Sequence, residues 1–131
     1  MEKNSTATNR VSMDRIMNAS FNEVTNNLTV SFRKTVLTKQ YESEVIETTN
    51  SVQLDRTLTG IERMFIAGTM QAQLQYQTYV MLVDKGLLTK TDLNNSKLAL
   101  EEDIYNLKYK ADQMLGSDFT NNCLGNINLD K

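Results

Sequence analysis

A chain of 131 residues with 40% hydrophobic residues has the length of one domain and too much apolar content for global disorder. With one cysteine, Cys123, and no histidine, it cannot build an intrachain disulfide, a zinc site of nitrogen and sulfur ligands within one chain, or a Ser-His-Asp or Cys-His nucleophile. A net charge of −2 does not suggest a general polyanion binder, yet the charge is uneven: residues 1–40 carry six Lys/Arg against three Asp/Glu, residues 41–83 two against five, and residues 84–131 six against eight.

Residues 1–24 are rich in Asn, Ser and Thr, with Val11, Ile16 and Met17 as sparse apolar points, and read as a mobile arm. Residues 28–37 alternate in the strand period. Val30, Phe32 and Val36 fall on one face, and Ser31, Arg33 and Thr35 on the other. Lys34 interrupts the apolar face, which suggests an edge position or a side chain that buries its stem and keeps its head wet. Residues 41–48 form a second β-rich run. Thr38-Lys39-Gln40 is a connection of hairpin length, and Thr49-Asn50-Ser51 reads as a turn or bulge before Val52-Gln53-Leu54. Two strands alone are marginal and need a third strand, a helix or another subunit over their apolar face.

Thr59 and Glu62 have the spacing of a capping box and predict a helix from about 60 to 85. Ile61, Phe65, Gly68, Ala72, Tyr76, Tyr79 and Val83 share one face of it, and the small pair Gly68 and Ala72 permits close approach of another backbone. Gly86 then sits where a helix-ending glycine belongs. Thr89 and Asp92 open a second helix, from about 90 to 115, with a stripe at Leu93, Lys97, Leu100, Ile104, Leu107, Ala111 and Met114. The short link makes the two helices antiparallel neighbours. The expected architecture is α+β: an N-terminal antiparallel β-hairpin (about 28–54) packed on a C-terminal antiparallel αα-hairpin, with flexible termini. The domain spans residues 25–116, and residues 117–131 read as a flexible tail in which Cys123 is an exposed thiol.

Two local resemblances accompany this pattern. Asp84-Lys85-Gly86-Leu87-Leu88-Thr89-Lys90-Thr91-Asp92-Leu93, with Lys97, resembles the turn of the short helical-hairpin domains called SHOCT. That likeness implies the hairpin and carries no function. Val30-Ser31-Phe32-Arg33-Lys34-Thr35-Val36 followed by Tyr41-Glu42-Ser43 is similar to small uncharacterised proteins of tailed bacteriophages, in which a paired-strand start precedes helices. Gln40 stands where that pattern carries Asn. The likeness implies a phage setting and supplies no catalytic residue.

Three non-catalytic readings compete. In the leading one, Ile66, Met70, Leu74 and Met81 widen the apolar surface of the first helix beyond what one neighbour covers. The chain is then a structural or assembly protein, virion-associated on the phage likeness, that forms homo-oligomers or joins other protein subunits through them. In the second, Phe32, Arg33, Lys34, Lys39 and Tyr41 mix aromatic and cationic groups on a sheet and contact single-stranded nucleic acid. Phe32 also shares the face of Val30 and Val36, the position of a core residue. In the third, an edge strand and an amphipathic hairpin dock on a host protein as adaptor or inhibitor. An enzyme is not expected, nor a metal or other cofactor. Glu101-Glu102-Asp103 is the one dense carboxylate run, and consecutive helical residues point in different directions, so it reads as a solvated face. Gln71, Gln73, Gln75 and Gln77 read as neutral surface or interfacial hydrogen bonders. No apolar run reaches the roughly 20 residues that span a bilayer, and the polar N-terminal residues are not followed by a signal-peptide apolar stretch. The expected location is the cytoplasm of a host cell, or a virion.

Overall fold

The alternation at residues 28–36 is an alternation in burial. Leu28, Val30 and Val36 are buried and Phe32 and Lys34 half-buried, while Arg33 and Thr35 between them are exposed. A computed structural model describes residues 19–39, 42–55 and 57–129. In chain order it contains strands β1 (Ala19–Asn22), β2 (Asn27–Lys39) and β3 (Glu42–Gln53), and helices α1 (Gly60–Asp84), α2 (Lys90–Leu115) and the short α3 (Ser117–Phe119), which runs into one π-helical turn over Thr120–Leu124. The predicted α+β class and both hairpins are present. The strands form one antiparallel sheet in the order β1-β2-β3.

The sheet contains a strand that the sequence reading placed in the mobile arm. In β1, Ala19 pairs with Val30 and Phe21 with Leu28. Both inner-face residues pack on the core, and Arg63 lies over the Phe21 ring at 4.2 Å. The connecting turn is made by asparagines. Asn22 Oδ1 accepts from the backbone N–H of Val24 (2.9 Å) and Thr25 (3.2 Å), and Asn26 takes the left-handed conformation at φ 58°. Residues 1–18 lie outside the described residues. Thr49-Asn50-Ser51 is not a turn: β3 continues through it, with Asn50 opposite Val30. Among the described residues the β2–β3 pairing is irregular between Leu37 and Lys39.

Both capping boxes form. Thr59 Oγ1 accepts from Glu62 N while Glu62 Oε1 accepts from Thr59 N at 2.7 Å, and Thr89 and Asp92 repeat the arrangement. Gly86, at φ 77°, closes α1. Leu87 N–H reaches Leu82 O and Gly86 N–H reaches Val83 O, the paired bonds of a Schellman stop.

α1 separates two packing partners. Toward α2 it presents Gly68 and Ala72. A Cβ on Gly68 would meet Leu107 Cδ1 at 3.3 Å, and Ala72 clusters with Leu100 and Ile104. Toward the sheet it presents a stripe that apolar periodicity hides, because two of its members are polar. Gln71 is buried and its Nε2 donates to Ser31 O at 2.9 Å; Thr78 exchanges a 2.7 Å hydroxyl bond with Thr48. Tyr79 meets Phe32 edge to face at 5.7 Å, and Lys34 Nζ lies 5.4 Å from the Tyr79 ring centre. Lys34 is thus accommodated on the apolar face by an aromatic ring. Lys97, the polar member of the α2 stripe, lies over Tyr76 in the same way at 5.9 Å. That stripe ends one turn early, since Met114 is exposed and Leu115 packs on the core instead.

Residues 117–129 are not a loose tail. Gly116, at φ 96°, turns the chain back. Phe119 and Leu124 enter the core with Phe65, Ile66 and Met70, and Leu129 joins Ala72, Leu100 and Ile104. Gln73 Nε2 donates to Asn128 O at 2.7 Å. Burial of these apolar side chains outweighs the polar composition between them. Phe119→Ala is therefore expected to cost about 3 kcal/mol in urea unfolding, where a surface tail would cost nothing measurable. Gly68→Leu, forced against Leu107, is expected to cost about 1–3 kcal/mol in the same assay.

Candidate interaction surface

Among the described residues the sheet is covered on one face only. On the helix side lie Leu28, Val30, Phe32, Lys34 and Val36. The register sets Asn50, Thr48 and Ile46 beside them on β3. The other face carries Ser20 from β1, Thr29, Ser31, Arg33, Thr35 and Leu37 from β2, and Ser43, Val45, Glu47, Thr49 and Ser51 from β3, and it meets no other described element. It is hydroxyl-rich and close to neutral. Thr29 and Ser51 share a 2.7 Å hydroxyl bond, and Arg33 pairs with Glu47 at 3.5 Å with both side chains well exposed, a contact worth at most about 1 kcal/mol. Leu37 is 74% exposed and Val45 54%.

β3 is an edge. Its twelve residues pair with β2 on one side and with no described strand on the other, and all but Ile46 and Thr48 are exposed. It contains no Pro and no Lys, the residues that most often guard such an edge. Its charges, Glu42, Glu44 and Glu47, lie in the first half, so Thr48 to Gln53 is uncharged. Beside that uncharged half runs a groove of about 550 Å³. Leu54, Leu58, Ile66, Met70, Cys123 and Ile127 contribute to its apolar lining, and the strand from Asn50 to Gln53 forms one wall. At its rim Asp55 Oδ1 accepts from Thr57 N–H (2.9 Å) and Thr57 Oγ1 (3.0 Å), bonds that hold the Asp55 carboxyl below the usual carboxylate value.

The residues proposed to contact nucleic acid are not brought together. Phe32 and Lys34 turn toward α1 and engage Tyr79, Arg33 faces the opposite side of the sheet, and Lys39 is exposed at the end of β2. Tyr41 lies outside the described residues. The proposed oligomer residues are also placed differently from expectation. Ile66, Met70 and Leu74 are buried in the chain's own core, covered by β2 and by the C-terminal segment, and Met81 is half-buried. The apolar excess of α1 is satisfied within the chain, so these residues do not offer a free face. Glu101, Glu102 and Asp103 do not converge, and no group of three or more His, Cys, Asp or Glu suited to a metal ion occurs among the described residues. No helix among the described residues is long and apolar enough to cross a membrane.

The open strand is legible in part: residues 41–48 read as a β-rich run and an edge strand is among the expected docking surfaces, but Thr49-Asn50-Ser51 reads as a turn or bulge where the strand in fact continues to Gln53. The Thr-Thr-Asn-Ser run weakens the β signal over residues 48–51, although the unbroken absence of Pro and Gly favours one continuous strand. No family model, curated protein or solved structure matches the chain.

Cys123 packs against the core at the groove and is half-buried. Burial first, then the negative charges of Glu62 and Asp55, push its thiol above the ordinary value. The thiolate is the reactive form, so its share at neutral pH falls. Cys123 is expected to alkylate more slowly at neutral pH than the thiol of a short unstructured peptide, with the rate still rising at pH values where the peptide has levelled off. Parallel pH–rate profiles with iodoacetamide check this.

Proposed function

We propose that this protein is a non-catalytic structural or assembly protein that acts through the uncovered side of its sheet. The observation that carries the reading is β3, a twelve-residue edge strand whose outward main-chain groups have no partner strand among the described residues. An exposed edge of that length is a template for another strand, because each pairing satisfies N–H and C=O groups that are otherwise left to water. The surface beside the groove offers little chemistry: one carboxylate, Asp55, already bonded to Thr57, and one thiol held in its protonated form. A phage or virion setting belongs to the same proposal and rests on the likeness of residues 30–43 to small tailed-phage proteins.

The adaptor reading uses the same edge with a foreign strand on it. The nucleic-acid reading draws less support, because Phe32 and Lys34 are engaged on the helix side and the charge of Arg33 is offset by Glu47. Sedimentation velocity over a range from micromolar concentration upward separates these readings. Homo-oligomeric assembly predicts a sedimentation coefficient that rises with concentration and falls back to the monomer value in Thr49→Lys, at the middle of the edge, with the circular dichroism spectrum unchanged. A monomer at every concentration would overturn homo-oligomeric assembly and leave the adaptor reading, which a single stoichiometric protein partner would then establish.

A further inference from the structure

We infer that the strand which completes this sheet is β3 of a second copy, paired antiparallel in the register that sets Thr49 of one copy opposite Thr49 of the other. The inference rests on the assembly reading and adds a partner and a geometry to it. Two identical edges joined side by side and antiparallel are related by a two-fold axis perpendicular to the sheet. Some residue must then face its own counterpart across the axis, and both copies keep their helices on the same face of a continuous sheet.

The charges of β3 select which residue that is. An axis at Glu47 sets the two Glu47 carboxylates directly opposite each other. An axis at Ile46 or Thr48 leaves them diagonal on one face, at about 7–8 Å, still close enough to repel. An axis at Asn50 puts Glu47 opposite Gln53, the last residue of β3, and shortens the overlap to residues 47–53. At Thr49, Glu47 faces Ser51 with Thr49 and Gln53 as its diagonals, and no carboxylate neighbours another on its face. Among the centres free of like-charge contact within β3, this one gives the longest overlap.

The same register also makes apolar sense. It pairs Ile46, which is half-buried on the helix side, with Val52 of the second copy, which is 38% exposed. Val52 lines the groove with Leu54, Leu58, Ile66 and Met70, so Ile46 of the second copy comes over its mouth. The overlap runs from residue 45 to residue 53. It leaves Glu42 and Glu44 at the ends, where the strand's acidity is solvated.

Thr49 lies on the exposed outer face, so a cysteine there is tolerated and reports the register. Directly opposed residues in an antiparallel pair have Cα atoms about 4.5–5.5 Å apart, within disulfide reach. Thr49→Cys is expected to form a covalent dimer under mild oxidant on the order of 10- to 100-fold faster than Val45→Cys, since the local thiol concentration in the dimer far exceeds the bulk value. Val45→Cys is the matched control: it has the same face and strand, but its counterpart lies eight residues away along the pair, roughly 27 Å. Peptide mapping must place the bridge at position 49 and not at Cys123, and circular dichroism must show both variants folded. Equal rates, a faster bridge at position 45, or a bridge through Cys123 would overturn this register; if the native chain still sedimented as an oligomer, assembly itself would stand. A monomeric native chain would overturn both, and Thr49→Lys, which opposes two ammonium groups at the axis, is expected to give a monomer whose circular dichroism spectrum matches that of the native chain.

Discussion

Helix α1 has to satisfy three neighbours at once, and the rest of the structure follows from how its circumference is divided. Toward α2 it is narrow: Gly68 and Ala72 leave room for Leu107, Leu100 and Ile104. Toward the sheet it is partly polar, and its hydroxyl and amide groups bond to the strands they meet. Toward the C-terminal segment it offers Ile66 and Met70, closed over by Phe119 and Leu124. A single helix with a neighbour on each of these sides cannot be amphipathic in the simple sense, since no wide sector of its middle is left for water.

That division explains what could be read from the sequence and what could not. Both capping boxes, the glycine stop at Gly86 and the antiparallel αα-hairpin were legible, because each depends on residues within one turn of one another. The inner face of β2 was legible too, since Val30, Phe32 and Val36 repeat with period two. The sheet-facing side of α1 was not. Gln71 and Thr78 look like surface residues, and only a strand supplying Ser31 O and Thr48 Oγ1 makes their burial acceptable. Even so the fit is incomplete, for Gln71 Oε1 is buried without a hydrogen-bond partner.

β1 and the C-terminal segment were missed for a related reason. Each contributes few apolar residues, spaced among Asn, Ser and Asp, and gains its place from partners far away in sequence. Phe21 depends on Leu28 and Arg63, and Leu129 on Ala72 and Ile104. The apolar surplus of α1 does demand more neighbours than α2 alone, and either the strands or a second subunit could have supplied them. The strands do, together with thirteen residues of the chain's own C-terminal segment, 117–129, which the polar composition hides. The candidate site accordingly lies at a strand edge and not on a helix face, marked by main chain with no partner strand among the described residues.

The closure of α1 by residues that follow it has a consequence for how the protein comes off the ribosome. Synthesis proceeds from the N-terminus, and the sheet and the αα-hairpin are complete by Leu115. At that moment Ile66 and Met70 still lack Phe119 and Leu124, which remain within the ribosomal tunnel or are not yet made. The nascent chain must therefore hold an unfinished apolar surface, directly beside an open strand edge, until its last buried side chains emerge.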